Sequence, residues 1–274
     1  MDTSKVWFVR GASKGLGLSF LKKLINFTAK TLLFVVLSNF THFAFSQEIG
    51  DIADNLDVSG AVSITNKGIS IIPSLTLGKP AAVFDLSIGK RIRFEPQFRF
   101  SLEGKPWSFL FWWRYEVLRT NKLRLNIGSH PAISFKSFPI SSNGVSKEIT
   151  EARRFLAGEL NSSYSVMNNI NVGIYYLYSY GFEEAVPDNT HYISFKGNIS
   201  NINLFYDLFL TISPQIYYLK IDENVGYYIA SSFRLGKRNF PLSLSSIFNK
   251  TIQTDILASP NFLWNVSLNY SFDL

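Results

Sequence analysis

The final stretch of the chain, Leu263 to Leu274, carries two chemistries on two faces. Trp264, Val266, Leu268, Tyr270, Phe272 and Leu274 fall on one side of a period-2 strand, and Asn265, Ser267, Asn269, Ser271 and Asp273 on the other. Successive side chains of an extended backbone point to opposite faces. The segment must therefore lie with an apolar medium on one side and water or polar groups on the other. A strand over a soluble core and a strand of a barrel in lipid both satisfy that condition, so repetition elsewhere has to decide.

The pattern recurs in a form that a soluble core tolerates badly. Arg91, Arg93, Glu95, Gln97, Arg99 and Ser101 alternate with Ile92, Phe94, Pro96, Phe98 and Phe100, which puts three arginines and a glutamate on one face. Lys122, Arg124 and Asn126 alternate likewise with Leu123, Leu125 and Ile127. Turn residues between such runs divide the chain into strands near 69–77, 80–89, 91–102, 106–118, 122–136, 151–166, 169–181, 189–199, 202–219, 224–235, 239–251 and 262–273, about 12 strands. The longest connections, 137–150, 182–188 and 252–261, then all fall opposite the two termini. The short turns, such as Gly89-Lys90 and Asn168-Asn169, fall on the terminal side.

A C-terminal strand ending in alternating aromatic and aliphatic residues, here Tyr270, Phe272 and Leu274, resembles the assembly signal of bacterial outer-membrane β-barrels. The resemblance implies an all-β fold, a closed antiparallel up-and-down transmembrane barrel. It implies as partners the barrel-assembly machinery, outer-membrane lipid and lipopolysaccharide.

Composition agrees. No apolar run of about 18 residues is present to make a membrane helix, whereas a barrel strand needs only about 9–11 residues with one apolar face. Phe 25 and Tyr 13 make the chain rich in aromatics, and charged residues are only 17%. Trp112 and Trp113 must face opposite sides of their strand. Tyrosines at 175–180, 217–218 and 227–228 are candidates for girdles at a lipid–water boundary. There is no cysteine, which removes disulfides and thiolate chemistry. The net charge of +7 does not signal nucleic acid. Six of the 27 cations and one of the 20 acids lie in residues 1–46, so the remainder is near balance and shows no basic stripe.

The N-terminal segment has a different character. Lys5 to Val9 reads as a short buried strand. A glycine-bearing turn follows it, with Gly11, Gly15 and Gly17, and then a helical stretch, Leu18 to Leu24. Glycines there allow backbone to approach a pyrophosphate at a helix N-terminus. This opening resembles a short-chain dehydrogenase/reductase, with Arg10 in place of the usual threonine. The resemblance implies a nicotinamide dinucleotide at those glycines, but it stops near residue 24. The family's Asn-Asn-Ala-Gly motif is missing, and its Tyr-x-x-x-Lys pair occurs only as Tyr192 and Lys196, within the strand-like run Tyr192-Ile193-Ser194-Phe195-Lys196. The glycine loop is thus a vestigial fragment over residues 1–20, and no cofactor or metal is expected.

Residues 21–46 combine Lys22-Lys23, an apolar run from Thr31 to Leu37, and small residues at Ala44 and Ser46. Together they read as a secretory signal peptide cleaved between Ser46 and Gln47. A mature N-terminal glutamine in this position resembles exported proteins of Bacteroidota-like bacteria. Residues 47–68 would form a periplasmic lead-in, with Asp57 to Thr65 a candidate for a short extra strand, and 69–274 the barrel, in the outer membrane of a Gram-negative cell.

Two functions suit such a barrel. The lumen candidates Arg91, Arg93, Arg99, Lys122, Arg124, Lys136 and Lys196 outnumber Glu95, Glu159 and Asp207, which predicts a passive channel or solute-binding barrel for a small anionic solute. The same arginines paired with Glu95 could instead fill the interior. The alternative is a hydrolase of lipid or lipopolysaccharide, with His130 and His191 as bases near Ser129, Ser134 or Ser194. Sequence supplies no acid partner for either histidine and no catalytic set. A third reading, a reductase using the Gly11 to Gly17 loop, ranks below both.

Overall fold

The computed structural model describes residues 56–274, apart from 143, 144, 185 and 258 and the side chains of 140–147. The glycine loop Gly11, Gly15, Gly17, the signal segment and its Ser46–Gln47 junction lie outside the described residues.

Twelve antiparallel strands close into one barrel, each beside its neighbour in sequence, with the last returning to the first. They are β1 Val58–Thr65, β2 Ala81–Gly89, β3 Ile92–Ser101, β4 Pro106–Arg119, β5 Leu123–Ser142, β6 Val145–Met167, β7 Ile170–Gly181, β8 Asn189–Phe205, β9 Leu208–Ile221, β10 Asn224–Lys237, β11 Leu242–Thr254 and β12 Phe262–Asp273. Closure removes the unpaired strand edges that an open sheet would expose. The seam runs in register from Ser59 opposite Asp273 to Thr65 opposite Ser267. Side chains bond across it: Ser63 Oγ donates to Asn269 Oδ1 at 2.9 Å and Asn265 Nδ2 to Thr65 Oγ1 at 3.1 Å.

Burial on β12 is the reverse of a soluble strand. Trp264, Val266, Leu268 and Tyr270 are 43–48% exposed, while Asn265, Ser267 and Asn269 are 5–8% exposed. The polar face thus forms the interior and the apolar face the exterior, the arrangement that lipid requires. Alternation separates the neighbouring tryptophans as expected, with Trp112 buried and Trp113 exposed. It also divides the tyrosines. Tyr217 and Tyr228 pair with each other on the inner face, and Tyr218 and Tyr227 pair on the outer face.

Three boundaries differ from expectation. The barrel begins at β1, inside the stretch expected as a lead-in. Residues 69–77, expected as the first strand, belong instead to the β1–β2 connection and include a single 3-10 turn, Pro73–Leu75. Pro73 has no N–H for a ladder and a fixed φ, and Ile69, Ile71 and Ile72 mimicked a strand by local hydrophobicity alone. The short β1, with small inward residues Ser59, Ala61 and Ser63, gave a weak signal that only its pairing with β12 and β2 makes good.

The turn expected at Ser200-Asn201 is a bulge within the β8–β9 pair, where the register shifts between Ile199 and Ile202. Asn201 takes φ +53°, a conformation that asparagine accepts readily, and the strand continues to Phe205. Finally, the expected 137–150 loop is largely paired backbone, with β5 and β6 in register out to Ser142 opposite Val145. The ends of the barrel are nevertheless unequal as predicted. Connections at the terminal end are short, and the far end carries 66–80, 182–188 and 255–261.

Candidate lumen site

The inner face of β3 brings Arg93, Glu95, Gln97 and Arg99 into the barrel, opposite Arg114, Trp112, Leu110 and Ser108 of β4. Two carboxylates and two guanidiniums meet there. Arg93 Nε donates to Glu95 Oε1 at 2.7 Å, and Arg114 Nη1 donates to Glu95 Oε2. Arg114 also grips Glu159 of β6 through Nε at 2.6 Å and Nη2 at 3.2 Å, and Tyr175 Oη of β7 donates to Glu159 Oε2 at 2.8 Å. The Glu159 side chain is 0% exposed, so its charge depends on these donors, and the bidentate arginine supplies the strongest of them.

Packing continues from this network. The Arg114 guanidinium lies 4.3 Å from the Trp112 ring centre, and Trp112 stacks on His130 with centroids 3.8 Å apart. Tyr217 stacks on Tyr228 at 4.7 Å and meets Tyr192, tilted, at 4.9 Å. They join Leu219, Ile221 and Ile256 in a buried apolar cluster. Into this cluster the β1–β2 connection inserts Ile72, 7% exposed, with Leu75 packed beside it. The far half of the lumen is therefore narrowed by the chain's own side chains and by an inward-folded segment.

What remains open is a series of cavities. One, of about 720 Å³, runs from Ser70–Leu75 past Arg99, Trp107 and His130 to Ser59 and Asp273 at the terminal end. A second, about 610 Å³, shares Ser70, Ile71 and Arg99 with it and contains Lys196. Leu75 and Trp107 stand between the first cavity and a 300 Å³ pocket at the far end. The Trp107 indole Nε1–H donates to the Leu75 carbonyl at 3.0 Å and ties the two together.

The residues expected to line the lumen divide into two groups. Arg93, Glu95, Arg99, Glu159 and Lys196 do so, whereas Asp207 falls in the β8–β9 turn. Arg91 sits in the β2–β3 turn, where its Nε donates to the Glu116 carbonyl at 3.2 Å and its guanidinium covers the Tyr115 ring at 5.2 Å. Lys122 is exposed in the β4–β5 turn. Arg124 has inward parity but lies exposed at the terminal mouth, opposite Arg119. The turn residues were expected to continue the strand alternation, which stops where the chain reverses. Sequence reading missed Arg114, hidden in the aromatic run Trp112-Trp113-Arg114-Tyr115, and Asp85, the carboxylate to which Gln97 Nε2 donates. Applying the same alternation through β2 and β4 would have found both.

The hydrolase candidates do not converge. His130 points inward, and Ser129 points outward with its hydroxyl donating to the Ala157 carbonyl at 2.9 Å. Ser194 is inside, while His191 is outside, with Nδ1 2.9 Å from the Tyr176 hydroxyl. Among the described residues no histidine nitrogen lies within hydrogen-bonding distance of a serine hydroxyl. Nor does any group of three or more His, Cys, Asp or Glu side chains form a candidate metal site among them. Tyr192 and Lys196 lie on strand β8, as the alternation predicted.

Neither protein-family models nor curated protein sequences match the chain. Solved structures do. LpxR from Salmonella typhimurium is similar at 12% identity and TM-score 0.45, over 78% of this chain and 99% of that one. An outer-membrane channel from Pseudomonas putida F1 gives 10% and 0.43, over 80% and 95%. OmpT, an outer-membrane protein of Vibrio cholerae, gives 10% and 0.39, over 79% and 97%. At these values the likeness is one of barrel architecture and does not extend to what the lumen holds.

Proposed function

We propose that the chain is an exported outer-membrane barrel of a Gram-negative bacterium and works as a narrow passive channel or solute-binding barrel for small anions. The apolar exterior supports membrane residence. The equal parity of the termini, together with the longer connections at the far end, supports a periplasmic placement of both termini. Tyr270, Phe272 and Leu274 would then present the assembly signal to the barrel-assembly machinery, and the outer face would meet lipid and lipopolysaccharide.

The observation that carries the anion reading concerns which charges remain uncompensated. Arg93 and Arg114 are held by Glu95 and Glu159 and act as internal bracing. Arg99 lines both the 720 Å³ and the 610 Å³ cavity and has no ion pair among the described residues, Lys196 donates to the neutral Asn161 at 2.7 Å, and Asp85 on the wall of the first cavity accepts from the neutral Gln97. A fixed positive charge in a confined, low-dielectric passage favours anions over cations. Selectivity would therefore rest on Arg99 and Lys196 in place of a ring of arginines. The hydrolase reading has no paired base and nucleophile to support it.

Reconstitution into planar bilayers tests the proposal. A small conductance with an anion-favouring reversal potential is expected, and that preference falls in Arg99→Gln/Lys196→Gln. Absence of both current and solute uptake by proteoliposomes would overturn it.

A further inference from the structure

We infer that the 720 Å³ cavity is a binding site for an organic monoanion with an apolar body, its charged group held by Arg99 beside Trp107, Ser108 and His130. The inference rests on the barrel reading above and adds to it a specific ligand class.

Unmet hydrogen-bonding capacity marks the polar end. Ser108 Oγ and both ring nitrogens of His130 are buried without a partner, in residues only 9% and 5% exposed, and both residues line this cavity. Buried polar atoms are nearly always satisfied in native proteins, so these converge on something the cavity receives. Arg99 adds five N–H donors with no ion pair among the described residues. Its guanidinium is placed 5.1 Å from the Trp107 ring centre, which fixes its position while leaving its edge available. Arg93 and Arg114 cannot serve, because their carboxylate partners already occupy them. Arg114 is the other cation on this cavity's lining and is taken up by Glu95 and Glu159, while Lys196 lines the neighbouring cavity.

The wall combines apolar Ile72, Leu75, Leu110, Trp112, Ala157 and Leu177 with polar groups, among them Glu95, held by Arg93 and Arg114, Asp85, which accepts from Gln97, and Asp273 at the terminal end. A few convergent donors in a concave, mainly apolar space of roughly 300–1,000 Å³ is the usual form of a small-molecule site. Inorganic anions would satisfy Arg99 but leave this wall against water. A neutral apolar molecule would cover the wall but leave Arg99 unpaired. A ligand with both parts satisfies both.

The experiment uses the chain folded in detergent micelles, with folding checked by heat-modifiable electrophoretic mobility. Ligand-observed fluorine NMR with 4-fluorobenzoate should show saturable broadening, with 4-fluorobenzyl alcohol and inorganic phosphate binding at least about tenfold more weakly. Removing one charge-assisted contact corresponds to roughly tenfold or more in affinity, so Arg99→Gln should weaken 4-fluorobenzoate binding by that factor, and Arg99→Lys should recover part of it. Ser108→Ala keeps the charge and should give a smaller loss. Equal binding of the neutral alcohol, equal binding of phosphate, or unchanged affinity in folded Arg99→Gln would each overturn the inference. Anion-selective conductance without 4-fluorobenzoate binding would sink this site while leaving the channel reading intact; binding without conductance would do the reverse for the channel.

Discussion

Trp107 of β4 and Leu75 of the β1–β2 connection are joined by one hydrogen bond, indole N–H to carbonyl, at 3.0 Å across 32 positions of sequence. It ties the inward-folded segment to the barrel wall at the point where the far-end pocket and the main cavity meet. A hydrogen bond of this kind contributes about 1 kcal/mol, beside the apolar packing of Ile72 and Leu75.

Replacing that donor should loosen the partition. Trp107→Phe keeps most of the ring and deletes the N–H. Single-channel recordings should show a larger or more frequently open conductance than the unaltered chain, with little loss of thermal stability. Identical current traces would show that the segment does not control the passage.

The internal ion network should matter more than exposed pairs. Glu159→Gln strips the charge that Arg114 and Tyr175 surround, and a buried pair broken from one side costs on the order of 3 kcal/mol. Urea unfolding in micelles should register that loss. Arg154 pairs with Glu183 at 2.6 Å at the far rim, with its own side chain 69% exposed, and Arg154→Ala should leave the unfolding midpoint where it was.

The two faces of β12 predict opposite tolerances. Leu268→Arg places a charge on the apolar exterior, where the cost near the middle of a bilayer is about 2–4 kcal/mol. Folding into lipid vesicles, followed by the heat-modifiable gel shift, should fall sharply. Ser267→Ala on the inner face should fold normally.

A pH effect is expected at the far end, where Lys105 of the β3–β4 turn donates to Glu148 on the projecting part of β6. That hydrogen bond holds Glu148 below its ordinary 4.5 and raises Lys105 above its ordinary 10.5. Glu148's contribution is present above its unfolded pKa and lost as pH falls through its lowered folded value. Lys105's is present below its unfolded pKa and lost as pH rises through its raised folded value. Carbon-detected NMR should place the Glu148 midpoint under 4.5 and return it toward 4.5 in Lys105→Ala. An unshifted midpoint in the unaltered chain would contradict the pairing.

Much of the barrel could be read without coordinates, because lipid outside and water inside impose a strict two-residue alternation that shows in the chemistry of each strand. Val266 against Ser267, Phe94 against Glu95 and Trp113 against Trp112 all obey it. The same rule assigned Arg93, Glu95 and Arg99 to the interior, and it failed at Arg91 and Lys122 because alternation carries no meaning once the backbone turns.

The placement of residues 69–77 could not be read at all, since Ile72 is buried in a cluster whose other members, among them Tyr192, Tyr217 and Tyr228, lie far along the chain. By itself the sequence determined which residues face which medium, and approximately how many strands there are, because both follow from interactions with solvent or lipid that each residue has separately. Only the tertiary structure decided where the ring closes, which arginines find a carboxylate, and that Arg99 is left facing open space. Those are relations between distant residues, and they come into being when β1 meets β12 and the interior acquires a finite volume to fill.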